Sequence, residues 1–262
     1  MKNLVRSFLS SSGIEYCSFL SMRDVRILNE RKLPAGMKSA AIWLIPYFTG
    51  NHPDRNVSLY SVGKDYHIFA KELSGKLIDT LKDSYPNERF AAFCDSSPVD
   101  EVYTAAIAGL GVIGKNRLLI NEKYGSYVFI AELLTSAELD FDDSEIPVAP
   151  EKCIGCGKCI RKCAFLAGKR EFCLSELNQR KRLSESELEI VRAQKIRWGC
   201  DACQEVCPMN ENTAKTPVKF FYEDNIEKID VKSIDAMPDR EFSLRAYSWR
   251  KREVIRRNLA DN

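Results

Sequence analysis

An α+β fold is predicted, with a mixed α/β domain over residues 1–146 and a mostly helical, cysteine-rich domain over residues 147–262. Three observations predict it. Apolar residues in the first part switch between helix-like and strand-like spacing. Eight of the ten cysteines fall between Cys153 and Cys207. Pro147 and Pro150 stand where the composition changes. The 262 residues are 45% hydrophobic and 29% charged. That composition excludes wholesale disorder, and the length suffices for a core without disulfides.

The elements follow in order. Val5, Phe8 and Leu9 have the spacing of one helix face. Residues 39–46 are an apolar run closed by Pro46, a buried strand. The wider run 40–48 is too short to span a bilayer. Arg6 and the serines at 10–12 interrupt any signal-peptide core, so a cytoplasmic protein without a membrane partner is expected. Residues 47–63, rich in Gly, Pro, Asn, Asp and Ser, read as loop, with His52 solvated. Tyr66, Phe69, Ala70, Leu73, Leu77 and Leu81 make the apolar stripe of a long helix. Residues 89–94 are a short buried strand ending at Asp95. Ser97 is then expected to cap a helix starting at Pro98, with Asp100 completing a variant capping box. Gly109 ends that helix, and two more strands are expected over 117–120 and 127–134.

The cysteines carry the strongest signal. In a reducing compartment such a cluster holds metal rather than disulfides. Cys153, Cys156, Cys159 and Cys163 form C-x2-C-x2-C-x3-C, the bacterial ferredoxin run whose fourth cysteine serves the other cluster. Cys173 stands alone, and Cys200, Cys203 and Cys207, followed by Pro208, close the second half. Crossed pairing predicts two [4Fe-4S] clusters, one on Cys153, Cys156, Cys159 and Cys207, the other on Cys163, Cys173, Cys200 and Cys203. The alternative is structural zinc on Cys153, Cys156, Cys200 and Cys203. It exceeds the usual pair separation of about fifteen to twenty residues and strands four thiols. Cys17 and Cys94 sit in apolar strings and read as core.

Charge is less informative. The net charge is +2, and residues 151–262 hold 23 Lys and Arg against 18 Asp and Glu. That bias alone does not make a nucleic-acid-binding tail.

Several stretches resemble epoxyqueuosine reductases. They are Gly63-Lys64-Asp65-Tyr66-His67, Cys94-Asp95-Ser96-Ser97-Pro98, the run from Ala108 to Asn116 (AGLGVIGKN), Tyr124-Gly125-Ser126-Tyr127, and the run from Gly199 to Asn210 (GCDACQEVCPMN). Ser248-Trp249-Arg250 and Arg257-Asn258 are similar to the end of that family's ferredoxin portion. The resemblance covers most of residues 35–260. It implies a cobalamin-binding α/β domain and a ferredoxin-like domain, with cobalamin between them. It also implies electron flow through two clusters to cobalt, and removal of the epoxide oxygen of epoxyqueuosine in tRNA. The implied partners are tRNA and a low-potential electron donor, for a monomeric enzyme. The implied cofactor contacts are Lys64, Tyr66, His67, Gly111, Gly114, Lys115, Asn116, Ser126, Met209 and Asn210.

Asp95 matches the family's proton donor. Its place at the carboxyl end of a strand agrees with where ligands gather in α/β sheets. As a general acid it needs burial to keep its proton; the plainer alternative is a turn and cap residue. His67 is one of two histidines, and a structural or orienting role is expected rather than cobalt ligation. The glycines from 109 to 114 contact the cofactor or simply form a cap and turn. Lys158, Arg161, Lys162, Lys169, Arg170, Arg250, Lys251, Arg252, Arg256 and Arg257 are candidates for tRNA phosphates, with Trp249 and Tyr247 for stacking. Solvated helix faces are the alternative.

Three features depart from the family. The chain ends soon after Asn258, so the sequence reads as a short member without the C-terminal helical repeats. The loop before Gly63 lacks an arginine-rich stretch, and Ala164 replaces the proline expected after Cys163. Two other functions stay open: a cobalamin and iron–sulfur reductase with a different small substrate, and a non-enzymatic two-cluster electron carrier.

Overall fold

The computed structural model describes residues 1–139 and 152–260. The expected 146/147 boundary and both linker prolines lie outside the described residues. The chain divides into two compact units that interleave in sequence. Unit 1 is Met1–Tyr47, Phe69–Gly155 and Met209–Val218; unit 2 is Phe48–Ile68, Cys156–Pro208 and Lys219–Asn262. A single cut was expected because composition does not reveal which core an apolar residue joins. Val57 and Val62, from the expected loop, are buried with Trp198 and Tyr247 in unit 2. Thr216 donates a hydrogen bond to the Pro46 carbonyl within unit 1.

Unit 1 is built on an antiparallel four-stranded sheet. Its strands are β1 (Cys17–Ser21), β2 (Ser39–Pro46), β3 (Phe90–Cys94) and β6 (Val128–Thr135), in the order β1-β2-β6-β3. Every residue of β2 is buried, as its unbroken apolar run requires for a central strand. β3 is half-buried throughout, because it lies at the sheet edge rather than in the centre. A second pairing joins β4 (Val112–Ile113) to β5 (Leu119–Ile120), which reduces the strand expected over 117–120 to two residues. β1 has no counterpart in the sequence reading.

Helices α1 (Lys2–Ser11) and α2 (Tyr66–Ser84) fall where apolar periodicity placed them, with Val5, Leu9, Leu73, Leu77 and Leu81 buried. The third helix, α3, runs Glu101–Ile107. It starts three residues later than expected and is capped by Asp100, which accepts from the Tyr103 N–H at 3.1 Å. Pro98 and Val99 are drawn out of it. The Pro98 carbonyl accepts from the Leu28 and Asn29 N–H groups, and Val99 bridges Ile27. Gly109 does end α3, at φ 74, with paired bonds from Gly109 and Leu110 back to Ala106 and Ala105, a Schellman closure.

Unit 2 contains α4 (Lys158–Lys162), α5 (Leu174–Gln179), α6 (Glu185–Arg192), α7 (Ala202–Glu205), α8 (Val231–Ala236), α9 (Asp239–Phe242) and α10 (Lys251–Leu259). Its larger core gathers Trp198, Tyr247, Ile234, Ile255 and Leu259; a smaller one holds Leu174, Leu177 and Val191. No described helix is long and apolar enough to cross a membrane.

Candidate functional site

Seven of the eight clustered cysteines belong to unit 2, and Cys153 belongs to unit 1. Gly155 and Gly157 take φ 69 and 72, a left-handed path that L side chains avoid. Gly157 is also the residue from which α4 departs. Cys163 follows α4 directly, Cys173 precedes α5, and Cys200 and Cys203 lie at the start of α7. These four thiols act on one another. Burial first, then the Cys173 and Cys163 charges, push Cys200 up to about 11. Burial, then Cys200, Cys163 and Cys173, push Cys203 up to about 12. Four thiolates this close need a cationic centre to ionise together, and an iron–sulfur cluster supplies one. The second predicted ligand set is therefore brought together within one unit and suits that group. Of the first set, Cys159 and Cys207 are buried and Cys156 is exposed. Among the described residues, no group of three or more His, Cys, Asp or Glu side chains closes to single-ion distance.

Asp95 follows the last residue of β3 and is exposed, so burial does not hold its proton as expected. The Asp95 N–H donates to Glu101 Oε1 at 2.8 Å. Ser97 does not cap a helix; its hydroxyl donates to Glu132 Oε1 and accepts from the Val99 N–H at 3.0 Å. Glu132 is wholly buried on β6, opposite Phe93 of β3 and Ile42 of β2. Burial, reinforced by the Glu132 and Asp95 charges, pushes Glu101 up to about 10. Burial and Asp95 push Glu132 up to about 7, against the lowering bonds from Ser97 and Glu101. Sequence reasoning missed both glutamates. Glu132 did leave a signal, as the one charged residue in the apolar run of β6.

The proposed cofactor contacts fall into two groups. In unit 2, Lys64 pairs with Glu223 at 2.5 Å and lies over the Phe220 ring. Tyr66 is buried and stacks on His67 at 4.1 Å, and His67 Nδ1 lies 2.8 Å from Asp65 Oδ1. His67 is thus oriented by Asp65 at the start of α2. In unit 1, a Cβ at Gly111 would sit 2.6 Å from the Ile120 carbonyl oxygen, and one at Gly114 would strike the Asn116 side chain. Gly111 is thus demanded by its own turn, where the obstacle is backbone. Lys115 is exposed, with Nζ 3.4 Å from the Gly155 carbonyl. Asn116 is buried and no described group bonds its Nδ2. Asn210 accepts from the Ser126 N–H at 2.8 Å and donates to its hydroxyl at 2.9 Å, while Met209 is half-buried.

Other expectations are corrected. His52 is not solvated: Glu227 at 2.6 Å and Thr49 at 2.8 Å hold its ring. The Cys17 sulfur is buried, which raises its thiol to about 12, whereas Cys94 on the edge strand is half-buried. Tyr247 is 0% exposed and unable to stack on a base, unlike Trp249 at 57%. Arg252 is held by the Ile234 and Met237 carbonyls and Asp239, and Arg257 by the Arg180 and Lys181 carbonyls. Arg256 pairs with Asp235 at 3.1 Å. These cations serve unit 2's own packing, leaving Lys158, Arg161, Lys162, Lys169 and Lys251 exposed.

The family described as a 4Fe-4S binding domain matches residues 150–166 and 198–210, taking in seven of the eight clustered cysteines and leaving Cys173 outside. The epoxyqueuosine reductase of Cyclobacterium marinum is 32% identical over 198 residues, 70% of this chain and 62% of its own length. That of Gloeobacter violaceus is 30% identical over 254 residues, 90% of this chain and 76% of its own length. The chain thus spans between three-fifths and about three-quarters of these relatives. A solved epoxyqueuosine reductase with an epoxyqueuosine-modified tRNA stem loop shares the fold. Its TM-score is 0.78 at 24% identity, covering 98% of this chain and 79% of that one.

Proposed function

The chain belongs to the epoxyqueuosine reductase family, and on that premise we propose that it reduces epoxyqueuosine in tRNA to queuosine in the cytoplasm. The observation that carries the reading is Asp95, an exposed carboxyl just past β3 whose backbone is tied to Glu101, with buried Glu132 beneath. A group so placed can protonate an oxygen as it leaves a reduced carbon. Cys153, Cys156, Cys159 and Cys207 hold one [4Fe-4S] cluster, and Cys163, Cys173, Cys200 and Cys203 hold the other. Convergence of the second set supports this assignment. Electrons enter from a low-potential one-electron donor.

Cobalamin suits the polar groups near the glycine turn. Lys115 and Asn116 Nδ2, which no described group bonds, supply donors for corrin amide groups, with the Ser126–Asn210 pair beside Gly125 adding a rigid polar edge. What cobalamin supplies when bound is the reducing cobalt centre. The protein's own residues position it and deliver the proton from Asp95. A solved relative was crystallised with a modified tRNA stem loop. By analogy, Lys158, Arg161, Lys162 and Lys169 meet tRNA phosphates here and Trp249 is available for stacking.

The test is anaerobic incubation of the chain, loaded with iron–sulfur clusters and cobalamin, with epoxyqueuosine-containing tRNA and a low-potential reductant, followed by mass spectrometry of the nucleosides. Queuosine is expected to accumulate over many turnovers. The reading is overturned if fully loaded protein leaves the epoxide intact while a known reductase converts the same tRNA.

A further inference from the structure

Removing an epoxide oxygen as water consumes two electrons and two protons. Both C–O bonds break, a double bond forms between the two carbons, and the oxygen departs with both protons as water. The electrons come from the low-potential donor, but one exposed carboxyl at Asp95 holds only one proton. The groups beneath it supply a place for another. Glu132 is completely buried; Ser97 donates to its Oε1, and no described N–H or O–H reaches its Oε2. The Glu101 carboxyl is the group within hydrogen-bonding reach of Glu132, while Glu101 Oε1 also accepts the Asp95 N–H. Two ionised carboxylates do not share such a site, whereas one proton between them satisfies the orphaned oxygen.

We infer that Glu101 and Glu132 are positioning residues that share a proton behind Asp95 and return it to Asp95 once Asp95 has given up its own. This rests on the reading of Asp95 as the proton donor. The surroundings of the pair leave the proton nowhere better to go. Ile42, opposite Glu132 on β2, brings no charge. On the neighbouring segments, Arg26 is engaged with Asp100 at 3.5 Å and Lys32 with the Ser96 carbonyl at 3.4 Å. Burial keeps Glu101 up at about 10 and Glu132 at about 7, so the pair still holds at least one proton at neutral pH. The bond from Asp95's N–H also steadies the left-handed backbone there, at φ 67. After transfer, Asp95 is reprotonated from Glu101, and Glu101 from solvent.

Glu101→Gln is the decisive variant, since glutamine keeps both hydrogen bonds yet carries no transferable proton. In the folded, cluster-loaded protein at pH 8, infrared spectroscopy is expected to show a protonated carboxyl band that Glu101→Gln removes. Turnover of the variant should fall about 100-fold with KM for tRNA unchanged. Melting gives an independent sign. Both carboxyls have folded-state values above the ordinary carboxylate range. Their contribution to stability is complete at acid pH and is lost as pH rises through about 7 towards about 10. The fall in melting temperature between pH 6 and 9 should therefore be smaller in Glu101→Gln. No acid band in the wild type, or wild-type turnover and pH profile in the variant, overturns the inference. If the wild type makes no queuosine at all, the reading of function fails instead, and the infrared band still decides whether the pair holds a proton.

Discussion

Asp95 has φ 67, a conformation most side chains avoid at a cost of about 1–2 kcal/mol. Aspartate and asparagine tolerate it better than most, yet glycine tolerates it best. Retaining a carboxyl there sacrifices some stability for a proton at the open end of β3. Two substitutions separate the terms. Asp95→Asn keeps the backbone preference and removes the acid, so its melting temperature should stay within a degree or two while turnover falls by about 100-fold or more. Asp95→Gly relieves the strain but adds about 0.5–1 kcal/mol of unfolded-chain entropy. Its net effect is a melting temperature equal to or slightly above wild type, again with turnover lost. Undiminished turnover in Asp95→Asn would remove Asp95 from the chemistry. A several-degree drop in Asp95→Gly would show that the side chain holds the turn through contacts rather than enduring it.

At the scale of elements, α5 and α10 are tied to the turn that presents Cys200. Asn178, fully buried at the end of α5, donates to the Gly199 carbonyl at 2.8 Å and accepts the Gly199 N–H at 3.1 Å. Asn258 of α10, also fully buried, donates to the carbonyls of Asn178 and Arg197 at 2.7 and 3.1 Å. Gly199 takes φ 68, and a Cβ there would collide with Ser58. Asn178→Leu leaves both buried Gly199 backbone groups unpaired, a loss of about 2–6 kcal/mol at roughly 1–3 each. Cluster release to a chelator should accelerate at least tenfold, read from the decay of visible absorbance. An unchanged decay would mean that the Cys200 turn is held by the metal alone. None of this clamp was legible beforehand, because Asn178 and Asn258 look like ordinary polar helix residues until burial makes them partners. Periodic signals fared better: β2, α2 and the end of α3 at Gly109 follow from apolar spacing and one glycine. The start of α3 did not, since Pro98 and Val99 pair with residues 27–29, a tertiary contact that local capping rules do not contain. The cysteine spacing was readable because ligand geometry is local. The Glu101–Glu132 pair was not, since it joins a helix start to a strand 31 positions away.

Across the whole molecule, the two units differ in what holds them. Unit 1 has a sheet whose central strand β2 is buried at every position, backed by Leu20, Leu110, Leu119 and Leu134. The cysteine-bearing stretch of unit 2 has little apolar support of its own: its smaller core consists of Leu174, Leu177 and Val191 as buried residues. At about 25 cal/mol per Å² of apolar area, three such side chains contribute only several kcal/mol, less than the entropy of ordering fifty residues. Where a metal site forms only in the folded chain, its binding free energy becomes folding free energy. For zinc fingers this is about 10–16 kcal/mol, comparable to the whole stability of a domain at about 5–15 kcal/mol. Stripping the iron should therefore act unevenly. Hydrogen exchange is expected to show α4, α5 and α7 losing protection by two orders of magnitude or more, while β2 and β6 keep theirs. If β2 and β6 open as far as α7, the units share one cooperative transition and the sheet depends on the metal. If α7 stays protected without iron, its packing against α4 suffices and the thiols are carried by a fold that does not need them.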